Sequence, residues 1–436
     1  MQRHWYLDVS LTLSLIGALL IVFFVDARLP KKEIDNNENG SETETRTSLL
    51  SANRPAKRHE PRADSIYAER VAENRIEVAQ KHGGSPISEK AVNDGLDWLS
   101  RHQAQEGYWS NRCLGRAPGS MCEKGSPCTL RGENFEIATT GLALLAFQGG
   151  GHFWFNEAAY STQVKRGLNW LISKQLNNGR FSSNNDQMNS QFMYEHAIAT
   201  FALAEACALA KDSNQQVDEK YQEALVRAVK FIEECQNPYR GGWRYSPKEG
   251  GDSSVSGWVV LALKSAIGGD VPVNPNCLTQ CKKFFKMLQI HSTGRTGYTS
   301  ASSFITEATT GVGMLVQYFL EEKIDADFLT AASNYLAGYA QKSWPKYNQG
   351  KPTPDYYLWY NGTLGMYLTG GENWDIWNDI VRDSLTKLQV HTGCERGSWP
   401  PIDQWGRSGG RIYSTALAIL TLEVYYRFAK KNKQGQ

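Results

Sequence analysis

The sequence predicts an all-α domain, an α/α toroid in which six outer helices surround six inner ones. Two observations carry this. A turn built from Gln, Gly and an aromatic residue recurs along the chain, with Gln103, Gln175, Gln236, Gln289, Gln341 and Gln389 spaced by 48 to 72 residues. Each turn also separates two helix-like runs of different character. The first run is amphipathic and the second is apolar nearly all round, as for a helix buried on most sides. A third observation concerns the N-terminus, where the 17-residue apolar run Val9 to Val25 precedes a charged, apolar-poor stretch.

The unit around Gln236 shows the pattern most clearly. Phe231 ends an amphipathic run, Gln236 follows five residues later, and then come Gly241, Gly242 and Trp243. Trp98, Gln103, Gly107 and Trp109 repeat this, as do Trp170, Gln175, Gly179 and Phe181. The remaining units are looser: Phe284, Gln289, Gly297 and Tyr298; Leu336, Gln341 and Trp344, with no Gly; and Leu385, Gln389, Gly397 and Trp399. In the first helix Val92, Leu96, Leu99 and Gln103 keep the three-and-four spacing of one face. The second runs are Thr139–Phe147, Ala197–Ala210, Val255–Ala266, Thr309–Leu320, Tyr356–Leu368 and Tyr413–Tyr426. They are rich in Gly, Ala, Ser and Thr, which lets helices approach closely around a crowded centre. Repeats of this length indicate a stacked or closed array.

Gln103-Ala-Gln-Glu-Gly107-Tyr-Trp109 resembles the QxxxGxW repeat of squalene–hopene and oxidosqualene cyclases, and Gln175 to Phe181 matches with Phe for Trp. The resemblance covers roughly residues 88–428 and extends to the prenyltransferase-like repeat group. It implies the toroid and, in the cyclases, an Asp in a DxDD motif that protonates an alkene at the start of an inner helix. Here Val259-Val-Leu-Ala-Leu263 follows Asp252-Ser-Ser-Val255, so Asp252 matches the first Asp while Ser254 and Val255 replace the others. A serine hydroxyl cannot supply that acid. The oxidosqualene DCTAE-type sequence and the CGEQ of complement-type thioester domains are absent. The resemblance therefore implies a divergent member without squalene-cyclase chemistry.

At 436 residues, with 41% hydrophobic content, 13 Trp and 20 Tyr, the chain can bury a large core. A net charge of +2 gives no nucleic-acid signature, and no P-loop, HExxH or GxGxxG is present. Neither a metal nor a cofactor is called for. The expected order is an anchor or signal peptide over 1–27, a polar linker over 28–63, a short helix over 64–84, the toroid over 85–430, and a tail over 431–436. Val9 to Val25 is just long enough to span a membrane. A single anchor with the toroid outside the cytoplasm is the reading adopted, and a cleaved signal ending at Val25-Asp-Ala27 is the alternative. A chain beginning near Ser85 is expected to fold without the anchor. Asn111 to Asn134 forms an insertion carrying Cys113, Cys122 and Cys128. These lack the CxxC pairs of a zinc site, and eight cysteines in an exported chain point to disulfides.

A polar group stands at or just before each inner helix: Glu136, His196, Asp252, Glu307, Asp355 and Tyr413. If the inner helices run one way, the six gather at one mouth of the barrel. There they either cap helices or form a ligand-binding ring over an aromatic cavity lined by Tyr194, Trp258, Tyr356, Trp359 and Tyr360. The functional expectation is a membrane-tethered toroid that binds an apolar or extended ligand centrally. The alternatives are an enzyme acting on an isoprenoid or glycan with acids at the mouth, and a structural or protein-interaction module of the cell envelope.

Overall fold

The computed structural model describes residues 67–70, 75–111, 133, 135–183, 191–348 and 354–428. After the short helix α1 (Arg75–Lys81) come six helix pairs. The outer members are α2 (Pro86–Arg101), α4 (Ser161–Ser173), α6 (Glu219–Cys235), α8 (Pro275–Leu288), α10 (Ala326–Asn348) and α12 (Glu372–Leu388). The inner members are α3 (Glu136–Gly149), α5 (Phe192–Asp212), α7 (Ser253–Gly268), α9 (Glu307–Leu320), α11 (Tyr356–Thr369) and α13 (Gly406–Leu422), and α14 (Val424–Arg427) ends the described chain. Each inner helix packs on the next, and α13 returns to α3, which closes the ring. The outer helices bury one stripe: in α2, Val92, Leu96 and Leu99 are buried while Lys90 and Asn93 face solvent. Ser85 and Ser88 form a capping box at its start, with Pro86 at the first helical position.

The recurring turn works as a connector. Gln103 Nε2 donates to Gly107 O and to Gln163 O of the next outer helix. Gln175 does the same to Gly179 and Ala224, and Gln236 to Gly241 and Cys277. Gln389 donates to Gly397 O at 2.9 Å and to Ala91 O at 2.8 Å, so the last turn grips the first outer helix. The turn glycine must be glycine for two reasons. Gly397 has φ +92°, and a Cβ there would stand 2.1 Å from Asp94 O. The aromatic residue that follows is buried and ties the pair together. Trp109, Trp243 and Trp399 each donate Nε1–H to a carbonyl of their own outer helix. Their backbone N–H groups reach the inner helix, at Thr140, Ser256 and Thr415.

Two units depart from the sequence expectation. In the fourth, Gln289 opens a small antiparallel hairpin of β1 (Gln289–Ile290) and β2 (Arg295–Thr296). Gly294, with φ +65° and a Cβ position 2.1 Å from Ala332 N, makes the close approach to the next outer helix in place of Gly297. Buried Thr296 takes the aromatic's place, accepting from Thr309 Oγ1 as Trp109 accepts from Thr139. In the fifth, α10 runs straight through Gln341 to Asn348. With no glycine there, nothing stops the helix.

The region before Ser85 also differs from expectation. Instead of one helix over 64–84 there is a 3-10 turn, Ala68–Arg70, and then α1; Asp64 lies outside the described residues. The turn plugs the barrel at the end opposite the inner-helix N-termini. Arg70 pairs with Glu205 of α5 at 2.6 Å, both side chains fully buried. Arg70 Nε donates to Arg427 O, and Arg427 in turn grips Glu205 at 3.0 Å and Glu423 at 3.4 Å. Tyr67 adds a 2.7 Å hydrogen bond to Ser265. The toroid therefore uses residues upstream of Ser85 as part of its core, contacts that a chain starting near Ser85 would lack.

Cys207, Cys235, Cys277, Cys281 and Cys394 are buried and form no disulfides, and Cys394 Sγ lies 3.6 Å from His102 Nε2. Burial pushes the thiols of Cys207, Cys235 and Cys277 up to about 12. Cys113, Cys122 and Cys128 lie outside the described residues, as does Val9–Val25. Among the described residues, no helix is long and apolar enough to cross a membrane.

The plug gives a direct test. A chain starting at residue 60 should melt as the full chain does. One starting at Ser85, or Arg70→Ala in the full chain, should lose about 3–5 kcal/mol, because a buried ion network is broken on one side. Equal midpoints in thermal or urea melts would show that the plug is a passenger.

Candidate functional site

The inner helices run in one direction, so their N-termini share the mouth opposite the plug. The sequence-predicted residues divide into two groups there. Asp252, Glu307, Asp355 and Tyr413 meet others at the mouth, and Glu136 is half-exposed at the first position of α3. His196 and Tyr356 do not serve as mouth residues. His196 is fully buried, accepts from Phe181 N–H at Nδ1, and donates from Nε2 to Ala228 O. It occupies the place that Thr140, Ser256 and Thr415 hold in other units, and burial lowers its pKa to about 3, leaving it neutral. Tyr356 is buried and bonds through its hydroxyl to Pro400 O at 3.0 Å, which ties α11 to the loop before α13.

The centre of the barrel is filled by Trp258 and Tyr360. Their rings stack at 5.3 Å and 13° across the axis, from α7 and α11, which are not neighbours in the ring. Both are buried. They form the floor of the mouth rather than the walls of a deep cavity. Trp359, by contrast, is half-exposed, with its ring edge-on to Tyr356.

Above this floor lie two carboxylate clusters. In the first, Asp252 caps α7 and accepts from Val255 N–H at 2.8 Å through Oδ1. Its Oδ2 is buried without a hydrogen-bond partner, and Arg244 Nε stands 3.9 Å away. Burial raises the carboxyl to about 7 against the pull of the Val255 bond and Arg244. Tyr194, Tyr245, Tyr298 and Tyr357 surround it electrostatically, with the Tyr245 and Tyr298 hydroxyls 2.5 Å apart. Gly250-Gly251 and the helix start make the Asp252 cap readable from sequence. Tyr298 is not readable, because it sits where a turn aromatic is expected.

The second cluster joins α11 to the loop before α13. Asp355 caps α11, accepting from Leu358 N–H at 2.9 Å and from Gln404 Nε2 at 2.9 Å. Asp403 is buried, with Oδ2 3.4 Å from Tyr356 N. Burial and the neighbouring Asp355 charge raise it to about 7, and Asp355 is raised as well, chiefly by burial. Tyr413 faces both carboxyls, and its buried hydroxyl bonds toward Asp403. Glu307 completes this side, accepting from the Tyr335 hydroxyl under the Arg295 guanidinium. Sequence reasoning missed Asp403, Gln404 and Tyr357. An acid between a turn aromatic and the next apolar run was the available signal, since Asp403 follows Trp399 as Asp252 follows Trp243.

No protein-family model matches the chain, and no curated protein matches it in sequence. Among solved structures it is similar to an inactive α-1,6-mannanase variant of Salegentibacter sp. HEL1_6 in complex with α-1,6-mannotriose. The identity is 10%, covering 78% of this chain and 99% of that one, with a TM-score of 0.50. A second inactive variant of the same enzyme, with α-1,6-mannotetrose, gives 11%, 78%, 98% and 0.50. A type II terpene cyclase from Scytonema, in complex with merosterolic acid A, gives 14%, 78%, 97% and 0.49. At these identities the likeness is one of fold, the α/α toroid.

The raised carboxyls fix a pH dependence. The folded chain binds these protons more tightly than the unfolded chain does. The stability they contribute is therefore complete below about pH 4 and is lost as pH rises through about 7. The melting midpoint should fall between pH 5 and pH 8, with buried Glu89, also raised to about 7, adding to the fall. Asp252→Asn keeps the cap and removes the charge. It should match the parent near pH 5 and exceed it at pH 8; a constant offset at both would contradict the assignment.

Proposed function

We propose that the mouth binds an uncharged, hydroxyl-rich, extended ligand of the glycan class. The observation that carries this is the polar character of the mouth surface. Tyr194, Tyr245, Tyr298, Tyr357 and Tyr413 are half-exposed there, so the surface offers aromatic faces edged with polar groups. A sugar meets such a surface with both apolar and hydroxyl faces. An isoprenoid would cover the polar edges without replacing the hydrogen bonds they make with water. The Trp258–Tyr360 stack also occupies the axis along which a long apolar chain would have to lie. Aromatic faces beside hydrogen-bonding groups suit a ligand with alternating apolar and polar faces.

This reading moves away from an apolar central ligand toward an extended polar one held at the rim. The N-terminal run Val9–Val25 extends the proposal: anchored there, the toroid would meet its ligand outside the cytoplasm.

The test is affinity electrophoresis of the full chain through gels containing soluble plant, fungal or bacterial polysaccharides. At least one should retard it. Trp359→Ala, which removes a half-exposed aromatic face, should weaken retardation several-fold with the fold retained. Retardation by none of them, with an isoprenoid lipid recovered in an organic extract of the purified protein, would replace this reading with the apolar one.

A further inference from the structure

We propose that Asp403 and Asp355 are the acid–base pair of a glycoside-cleaving centre at this mouth, with Trp405 as the stacking platform beside it. The proposal rests on the glycan reading above and adds a reaction to it.

The two carboxyls are held in unlike environments. Asp355 accepts a hydrogen bond on each oxygen, from the Leu358 N–H and the Gln404 amide, at the N-terminus of an inner helix. Those donors and the helix end favour its charged form. Asp403 is buried, and its burial outweighs the contacts from Tyr356, Gly406 and Tyr413. Burial favours the protonated form, and the Asp355 charge beside it acts in the same direction. Two neighbouring carboxyls with separated proton affinities are the arrangement that acid–base hydrolysis requires. Among the described residues, the groups facing the pair are Tyr356 and Tyr357 of α11, Glu307 of α9, Tyr413 of α13 and Tyr339 of α10, none of them cationic.

The loop carrying Asp403 is fixed in place. Tyr356 OH bonds Pro400 O, Gln404 bonds Asp355, and the Asp403 carbonyl accepts from Gly406 N–H. Trp405, two residues on, is half-exposed at 51% on the rim. An exposed indole two residues from Asp403 gives a sugar ring a place to stack.

The step balances with water as co-reactant. Asp403 gives its proton to the glycosidic oxygen as the anomeric C–O bond breaks. A water adds its oxygen to the anomeric carbon, and Asp355 takes that water's proton. Proton exchange with solvent returns the pair to its starting state.

The experiment uses the full chain and the polysaccharide that retards it most in the affinity gel, with release of reducing ends as readout. The parent should release reducing ends. Asp403→Asn and Asp355→Asn should each lose 10²- to 10⁴-fold in rate while retaining gel retardation and, at pH 5, the parent's melting point. Trp405→Ala should raise KM several-fold with kcat held. The alkaline limb of the parent's kcat/KM profile should fall near neutrality and vanish from the residual rate of Asp403→Asn. Retardation without reducing-end release by the parent would overturn the acid–base pair and leave the glycan reading standing. Full activity in Asp403→Asn would overturn it as well. Absence of retardation on every polysaccharide would remove the glycan reading, and this inference with it.

Discussion

Gln389 donates both hydrogens of its side-chain amide, one to Gly397 in its own turn and one to Ala91 in the first outer helix, 298 residues earlier. Three other turns make the same double bond to the outer helix that follows them. Each satisfies a turn carbonyl and adds a second bond to a carbonyl in the first turns of the next outer helix. Each also fixes the distance between successive outer helices, because the turn glycine lies against the neighbour's backbone with no room for a side chain. Once that spacing is set, the turn aromatic places the inner helix through its N–H bond to a Thr, Ser or His in the helix's first turns. The convergence of inner N-termini at one mouth follows from this repeated contact.

The barrel buries charge at both ends. At the base, Arg70 and Arg427 pair with Glu205 and hold the N-terminal turn as a stopper, while burial keeps Glu423 beside Arg427 well above the usual carboxylate range. At the mouth, burial raises Asp252 and Asp403 to about 7. The Arg–Glu205 pairs lock the base, while the raised carboxyls cost stability near neutral pH.

Much of the fold was legible in the sequence, since Gln, Gly and Trp at fixed intervals report a geometry that few other residues satisfy. The pattern failed where one member was missing. Without a glycine after Gln341 the helix simply continued, and at Gln289 the longer loop let Gly294 take the docking position. The site was only partly legible. Asp252 and Asp355 stand at helix starts, where capping makes acids visible. Asp403 and Tyr298 reach the mouth from loops whose path depends on contacts such as Tyr356 to Pro400, which no periodicity records. His196 was misread because a polar residue near a helix start looks alike whether it faces a mouth or bridges a turn. The stopper at Tyr67–Arg70 was missed because a short polar segment beside a charged linker carries no apolar period.

The central claim is that the ring is closed by the Gln389 amide. Native-state hydrogen exchange on Gln389→Leu tests it directly. The variant leaves the Gly397 carbonyl without its donor, at about 1–3 kcal/mol, and removes the link to α2. Protection should fall in α2 and α12 together, with α6 and α8 on the far side of the ring little changed. Unchanged protection in α2, or a uniform loss across all helices, would contradict a ring held by this contact.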